Sequence, residues 1–142
     1  TELIFAGFTN DDAWDLGGLL VRLARERGLA VTVDIRRGGQ QLFHAALAGT
    51  TPDNDMWVER KVRVVERFGA SSYLVGRRLA ARGRELDERS GVDPALFAAH
   101  GGAFPIHVRD VGVVGTVTVS GLPQAEDHAL VTEAIGAFLG AS

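Results

Sequence analysis

Two stretches of alternating residues, each turned back on itself by glycine or aspartate, constrain this chain more than any other feature. Val31-Thr32-Val33-Asp34-Ile35-Arg36 alternates with period two, and after Arg37-Gly38-Gly39 residues 41–47 alternate again, the pattern of a β-hairpin. Residues 104–109 and Gly112–Ser120 repeat that pattern around a turn at Asp110-Val111. Hairpins pair antiparallel strands, so a doubly wound parallel sheet is excluded. The expected class is α/β of the α+β kind, a mainly antiparallel sheet built from two hairpins with helices packed on it.

Register follows from loop length. A two-residue Gly38-Gly39 loop sets Val33 opposite His44, and a three-residue loop sets it opposite Phe43 with Ile35 opposite Gln41. The second is preferred because it gathers Val31, Val33, Ile35, Phe43, Ala45 and Leu47 on one buried face. In the second hairpin, pairing Arg109 with Gly112 places Val108 opposite Val113, Ile106 opposite Gly115 and His107 opposite Val114.

Helices fill the gaps. Asn10-Asp11-Asp12 supplies N-cap chemistry for a stripe of Trp14, Leu16, Leu19, Leu20, Leu23 and Ala24, closed by Gly28. A second helix follows the turn at residues 49–55 with Trp57, Val58, Val62, Val65 and Phe68 as its stripe, and Gly69 interrupts or ends it. A third runs from Ser71 to about Arg82 with Leu74, Val75, Arg78 and Leu79 at helical spacing. Short helical pieces are expected at Leu86-Asp87-Glu88 and over residues 94–99, and Pro123 opens a last helix through Leu130, Ile135 and Leu139.

With 142 residues and no linker or internal repeat, the expectation is one domain over 1–142. Cys 0 excludes thiol nucleophiles, disulfides, Cys-based metal sites and thiolate haem ligation. The net charge of −3 hides an asymmetry, because between Met56 and Gly91 bases outnumber acids while the remainder is acidic. The interspersed Glu and Arg there read as a solvent or subunit face, and without interleaved aromatics nucleic acid is not the expected partner. No apolar run reaches a membrane span, and the first residues lack the pattern of a signal peptide, so no membrane partner and a cytoplasmic location are expected.

Phosphate-loop, zinc-protease and nucleophile-elbow motifs are absent. Polar residues at element ends remain. His100-Gly101-Gly102 combines a group that can relay a proton with glycines that admit close backbone approach. Ser120 and Gly121 precede the last helix, whose free amides could receive an anionic group, while Glu126 and Asp127 already complement its dipole and His128 lies beyond them. Asn54 and Trp57 accompany Lys61, the single lysine among fourteen arginines, a residue type that can shift its pKa, form a Schiff base or act as a compact cation. Ser71 is a helix cap or a ligand hydroxyl, and Arg36 is a possible countercharge. His44, His100, His107 and His128 are the haem-ligand candidates, with Met56 and Tyr73 the only residues of their types. No histidine spacing marks a metal site, and no metal is assigned.

The strings Asp34-Ile35-Arg36, Gln40-Gln41-Leu42-Phe43, Asp53-Asn54 with Trp57, Arg60-Lys61, His100-Gly101-Gly102 with Phe104-Pro105, and Ser120-Gly121-Leu122-Pro123 with Glu126-Asp127-His128 together resemble the GlcG/HbpS-like "haem-degrading domain" family. The likeness is to its branch of bacterial and fungal proteins and spans residues 10–140. It implies a profilin-like fold with an antiparallel sheet, assembly into a symmetric homo-oligomer, and haem as cofactor, with no ligand set transferred residue by residue.

Three functions compete. The leading one is an oligomeric haem-binding and haem-degrading protein. The second is an enzyme or binding protein for a small organic acid, with His100, as acid or base, and Lys61 as catalytic residues and the Gly101, Gly102 and Gly121 backbones, Arg36, Asn54, Ser71, Ser120 and His128 as ligand contacts. The third is a non-catalytic assembly or adaptor module, its polar clusters serving only as caps.

Overall fold

The computed structural model describes residues 3–141. In chain order the elements are β1 (Ile4–Phe5), α1 (Asn10–Glu26), β2 (Thr32–Arg37), β3 (Gln40–Ala46), α2 (Pro52–Phe68), α3 (Ser72–Ala81), a 3-10 turn (Glu88–Ser90), β4 (Ala103–Val108), β5 (Gly112–Ser120) and α4 (Gln124–Gly140). The sheet order is β1-β4-β5-β2-β3, so the two hairpins lie side by side through an antiparallel β2–β5 pairing. β1 pairs parallel with β4, an edge strand of two residues that is too short to show a period.

Alternation along the strands splits the sheet into two unlike faces. Val33, Ile35, Val117 and Val119 join Leu16 and Leu20 of α1 and Leu130, Val131 and Ile135 of α4 in one core, all fully or almost fully buried. The opposite face, under α2, carries Asp34, Thr116, Thr118 and Ser120, also buried. There Arg36 donates to Asp34 (Nε···Oδ1 2.7 Å) and reaches Glu59 of α2. His44 bridges Asp34 and Asp55 through its two ring nitrogens, each at 2.8 Å. Gln41 adds an amide donor to Asp34.

Both hairpins depart from a uniform register. Gly38 and Gly39 (φ 58° and 81°) form a two-residue turn with Arg37 opposite Gln40. Continued unbroken, that register would put Val33 opposite His44, and the three-residue alternative would put it opposite Phe43. The structure adopts neither: a bulge between Ile35 and Arg36 shifts the pairing, so that Ile35 faces Phe43 and Val33 faces Ala45. The second hairpin keeps Ile106 opposite Gly115, but a shift at His107 puts Val108 opposite Gly112 and His107 opposite Val113, with Asp110 at φ 63° in the turn.

Thr9, not the Asn10-Asp11-Asp12 run itself, caps α1, its hydroxyl accepting from the Asp12 N–H at 3.0 Å while Asp12 accepts from the Thr9 N–H at 2.8 Å. Gly28 follows the end of α1 at φ 65°, as expected of a C′ glycine. Trp14 and Phe68 leave the apolar stripes assigned to them, 69% and 40% exposed. Gly17 explains the space beside Trp14: it has no side chain where the Phe43 ring of β3 lies against α1, and Trp14 meets that ring edge-on. Gly69, left-handed at φ 69°, ends α2. Residues 94–99 form no helix. Arg60 and Arg63 instead donate to the carbonyls of Pro94 and Leu96, and these cross-links hold the segment as a loop.

Candidate functional site

The first turn of α2, the His100 loop and the junction of β5 with α4 meet around a cleft of about 240 Å³. Their local sequences explain the meeting. Asn54 accepts from the Thr51 N–H at 2.9 Å, which fixes the start of α2 and sets Asp53, Trp57 and Lys61 along one side of it. Gly102 at φ 138° and Gly121 at φ 149° have backbones that L side chains rarely adopt, and each lies against a neighbouring carbonyl, Val119 and Ala30 respectively. Glycine at both points lets β4, β5 and the neck of α4 pack without side chains between them.

Lys61 and Asp127 form the floor. The ammonium donates to Asp127 Oδ2 at 3.0 Å and to the Val119 carbonyl at 3.2 Å. The two residues are 3% and 1% exposed. Asp127 also accepts the N–H groups of Gly121 (3.3 Å) and Leu122 (2.9 Å). Burial pushes the Lys61 pKa down and the Asp127 pKa up, and the attraction between the two opposes both shifts. The Gly121 and Leu122 donors in the neck before α4 are therefore already spent on a carboxylate of the chain itself. The Gly101 N–H is likewise committed, to Gln124 Oε1 at 3.0 Å.

His100 stands at the rim. Its ring packs against Trp57 with centroids 5.3 Å apart, and the Arg60 guanidinium lies 4.6 Å from the Trp57 ring. Burial first, then the charges of Lys61 and Arg60, hold its pKa below the ordinary 6.5, against a weaker opposing pull from Glu85. No protein hydrogen bond engages its side chain among the described residues. On its other side a groove of about 360 Å³ opens, walled by Leu79, Leu86 and Phe97 and carrying Arg60 and Arg84. His100 lines both spaces.

The sequence candidates divide accordingly. Lys61, Asn54, His100, Ser120 and Gly121 line the cleft, and Gly101 and Gly102 pack behind it. Arg36 lies in the ion-pair network beneath α2 and borders a different cleft, between α2 and the hairpin turns. Ser71 caps α3, accepting from the Leu74 N–H at 3.1 Å. His128 stacks on Tyr73 with centroids 4.6 Å apart, its buried Nδ1 without a hydrogen-bond partner and its pKa lowered by burial. His44 has both nitrogens engaged, and His107 is exposed on β4. Asp127, Gln124 and Arg60 are the contributors that local reading overlooks. The solitary lysine is the one signal that a buried anion had to exist for it.

Comparison with known proteins decides the family. The family described as "Haem degrading protein HbpS-like" matches residues 8–136. The chain belongs to that HbpS-like family. Among its relatives, a UPF0303 protein of Streptomyces coelicolor is 64% identical over 98% of this chain and 88% of its own length. Another, from Streptomyces avermitilis, is 67% identical over 97% of this chain and 85% of its own. Of solved structures, the Ybr137w protein superposes with a TM-score of 0.91 at 33% identity, covering 99% of this chain and 83% of that one. A haem complex of PduOC shares the HbpS-like fold at TM-score 0.77 and 17% identity, over 92% of this chain and 94% of that one. No helix among the described residues of this family member is long and apolar enough to cross a membrane.

Proposed function

We propose that this HbpS-like chain binds haem and that His100 would be the side chain that ligates its iron. The observation that carries the proposal is the position of His100, an imidazole without a protein hydrogen bond where a groove walled by Leu79, Leu86 and Phe97 meets a polar cleft. Its lowered pKa keeps the ring neutral at neutral pH, the form that ligates a metal. The donor set fits the group. Leu79, Leu86 and Phe97 offer an apolar wall, and Arg60 and Arg84 offer cations for porphyrin carboxylates. Trp57 braces the imidazole and Arg60 braces Trp57. Bound haem would supply one-electron and dioxygen chemistry. The family description and the haem complex of PduOC support this reading. Degradation is its finer part, and with Cys 0 the chain brings no thiol reductant, so electrons must come from an added donor.

Titration with hemin tests it. The expected result is a saturable Soret shift that His100→Ala removes, and that fades as pH falls through the lowered imidazole pKa, because the protonated ring cannot ligate. No saturation in the parent protein, or the same spectrum from His100→Ala, overturns the assignment.

Self-association belongs to the same proposal. Trp14 and Met56, 69% and 64% exposed, are large apolar groups of the kind a second subunit covers. Light scattering should give a mass that is a multiple of the 15.1 kDa chain, and a strict monomer at micromolar concentration would refute assembly.

A further inference from the structure

Lys61 is the only lysine of the chain, and haem ligation by His100 leaves it without a task. It lines the polar cleft although only 3% exposed. Two of its three N–H bonds are accounted for, by Asp127 and the Val119 carbonyl, and the third has no acceptor among the described residues. The Asp127 carboxylate is 3.0 Å from Nζ and is the group best placed to take its proton. Asp127 is itself held by two backbone N–H groups, so it does not swing away when that proton moves.

We propose that Lys61 is a reversible covalent site that captures small aldehydes from the cleft as an imine. The ammonium passes one proton to Asp127, and the freed amine forms a C–N bond to the aldehyde carbon while the carbonyl π electrons move onto oxygen. That oxygen takes up a proton to give a carbinolamine. The oxygen's proton is one of the two left on nitrogen; Asp127 then returns its proton to the hydroxyl, which leaves as water, and takes up the last N–H proton, completing Lys61–N=CH–R. One aldehyde and one amine give one imine and one water, with no change of oxidation state. Hydrolysis returns both.

The cleft selects the ligand class. Within it Lys61 and Asp127 cancel, so Asp53 at the mouth leaves a negative excess while His100 is neutral, and this disfavours a carboxylate-bearing carbonyl compound. The space of about 240 Å³ accepts a short chain, and Asn54, Ser120 and Gln124 offer hydrogen-bonding groups to a hydroxyl beside the aldehyde. A hydroxyaldehyde of two to four carbons matches those surroundings. Burial of the ammonium favours the reactive free base, and each pKa unit lost raises the free-amine fraction about tenfold near neutrality.

The site is tested by reductive trapping on the intact, haem-free protein. Glycolaldehyde is added with cyanoborohydride, and peptide mass mapping follows the label. Because the chain has one ε-amine, the α-amino group is the only competing amine. The expected result is one label on Lys61, a rate that saturates with aldehyde concentration, and labelling faster than that of N-acetyl-lysine methylamide. Lys61→Arg should abolish labelling while the far-ultraviolet spectrum stays folded. Label confined to the α-amino group, label on Lys61 only after denaturation, or a linear dependence at the free-lysine rate would each overturn the proposal. Hemin binding by His100 is read separately in the Soret band, so either reading can fail while the other stands.

Discussion

Lys61→Met should destabilise the protein by about 3–5 kcal/mol, the cost of leaving a buried charge without its partner. Asp127 is 1% exposed, and once the ammonium is gone only the Gly121 and Leu122 N–H groups remain to compensate its carboxylate. For a chain of this size the thermal midpoint should fall by about 10 °C. Adding Asp127→Asn should restore more than half of the loss, because no bare charge stays behind and the amide oxygen still accepts from the Leu122 N–H. Urea unfolding of both variants, read with unchanged slope, checks it. A single variant within about 0.5 kcal/mol of the parent would show that water reaches the pair freely.

Gly102→Ala is the second large effect. At φ 138° an alanine is strained by about 1–3 kcal/mol. Its Cβ would also overlap the Val119 carbonyl oxygen and come within 2.8 Å of Lys61 Nζ and 3.3 Å of Asp127 Cβ. The Val119 segment cannot step back without cost, because the Val119 N–H donates to the Gly102 carbonyl at 3.0 Å. Overpacking adds about 1–3 kcal/mol, so the total should reach about 3 kcal/mol or more. Gly18→Ala is the control: Gly18 lies on the exposed side of α1 with nothing within 4 Å of an added Cβ, and it should leave stability unchanged or slightly raised. Equal effects from the two substitutions in urea unfolding would contradict the packing described at Gly102.

The hairpins are legible in the sequence because a half-buried strand has to alternate. Their registers are not, and the first shows why. Gly38-Gly39 favours a two-residue turn with both residues at positive φ, whereas the core requires Phe43 and Ala45 on the same face as Ile35 and Val33. No single register meets both demands, and the bulge beside Arg36 reconciles them. The stripes fail at Trp14 and Phe68 for a related reason. Spacing identifies a helix face, but whether an aromatic at its margin is covered depends on what packs there, and Phe43 already occupies the space beside Gly17.

The cleft divides along the same line. Read alone, the sequence determines the glycine-hinged His100 loop, the cap chemistry before α2 and the neck before α4, because glycine, proline, asparagine and aspartate act on the backbone beside them. It also marks Lys61 by its rarity. Only the tertiary structure decides that Lys61 of α2, Asp127 of α4 and the Val119 carbonyl of β5 share one buried point, across sequence separations of 58 and 66 residues. Such a meeting depends on how α2 and α4 pack at the end of β5. That arrangement is set by the shape of the sheet, its bulges and the glycines that admit close approach, and no local period carries that information.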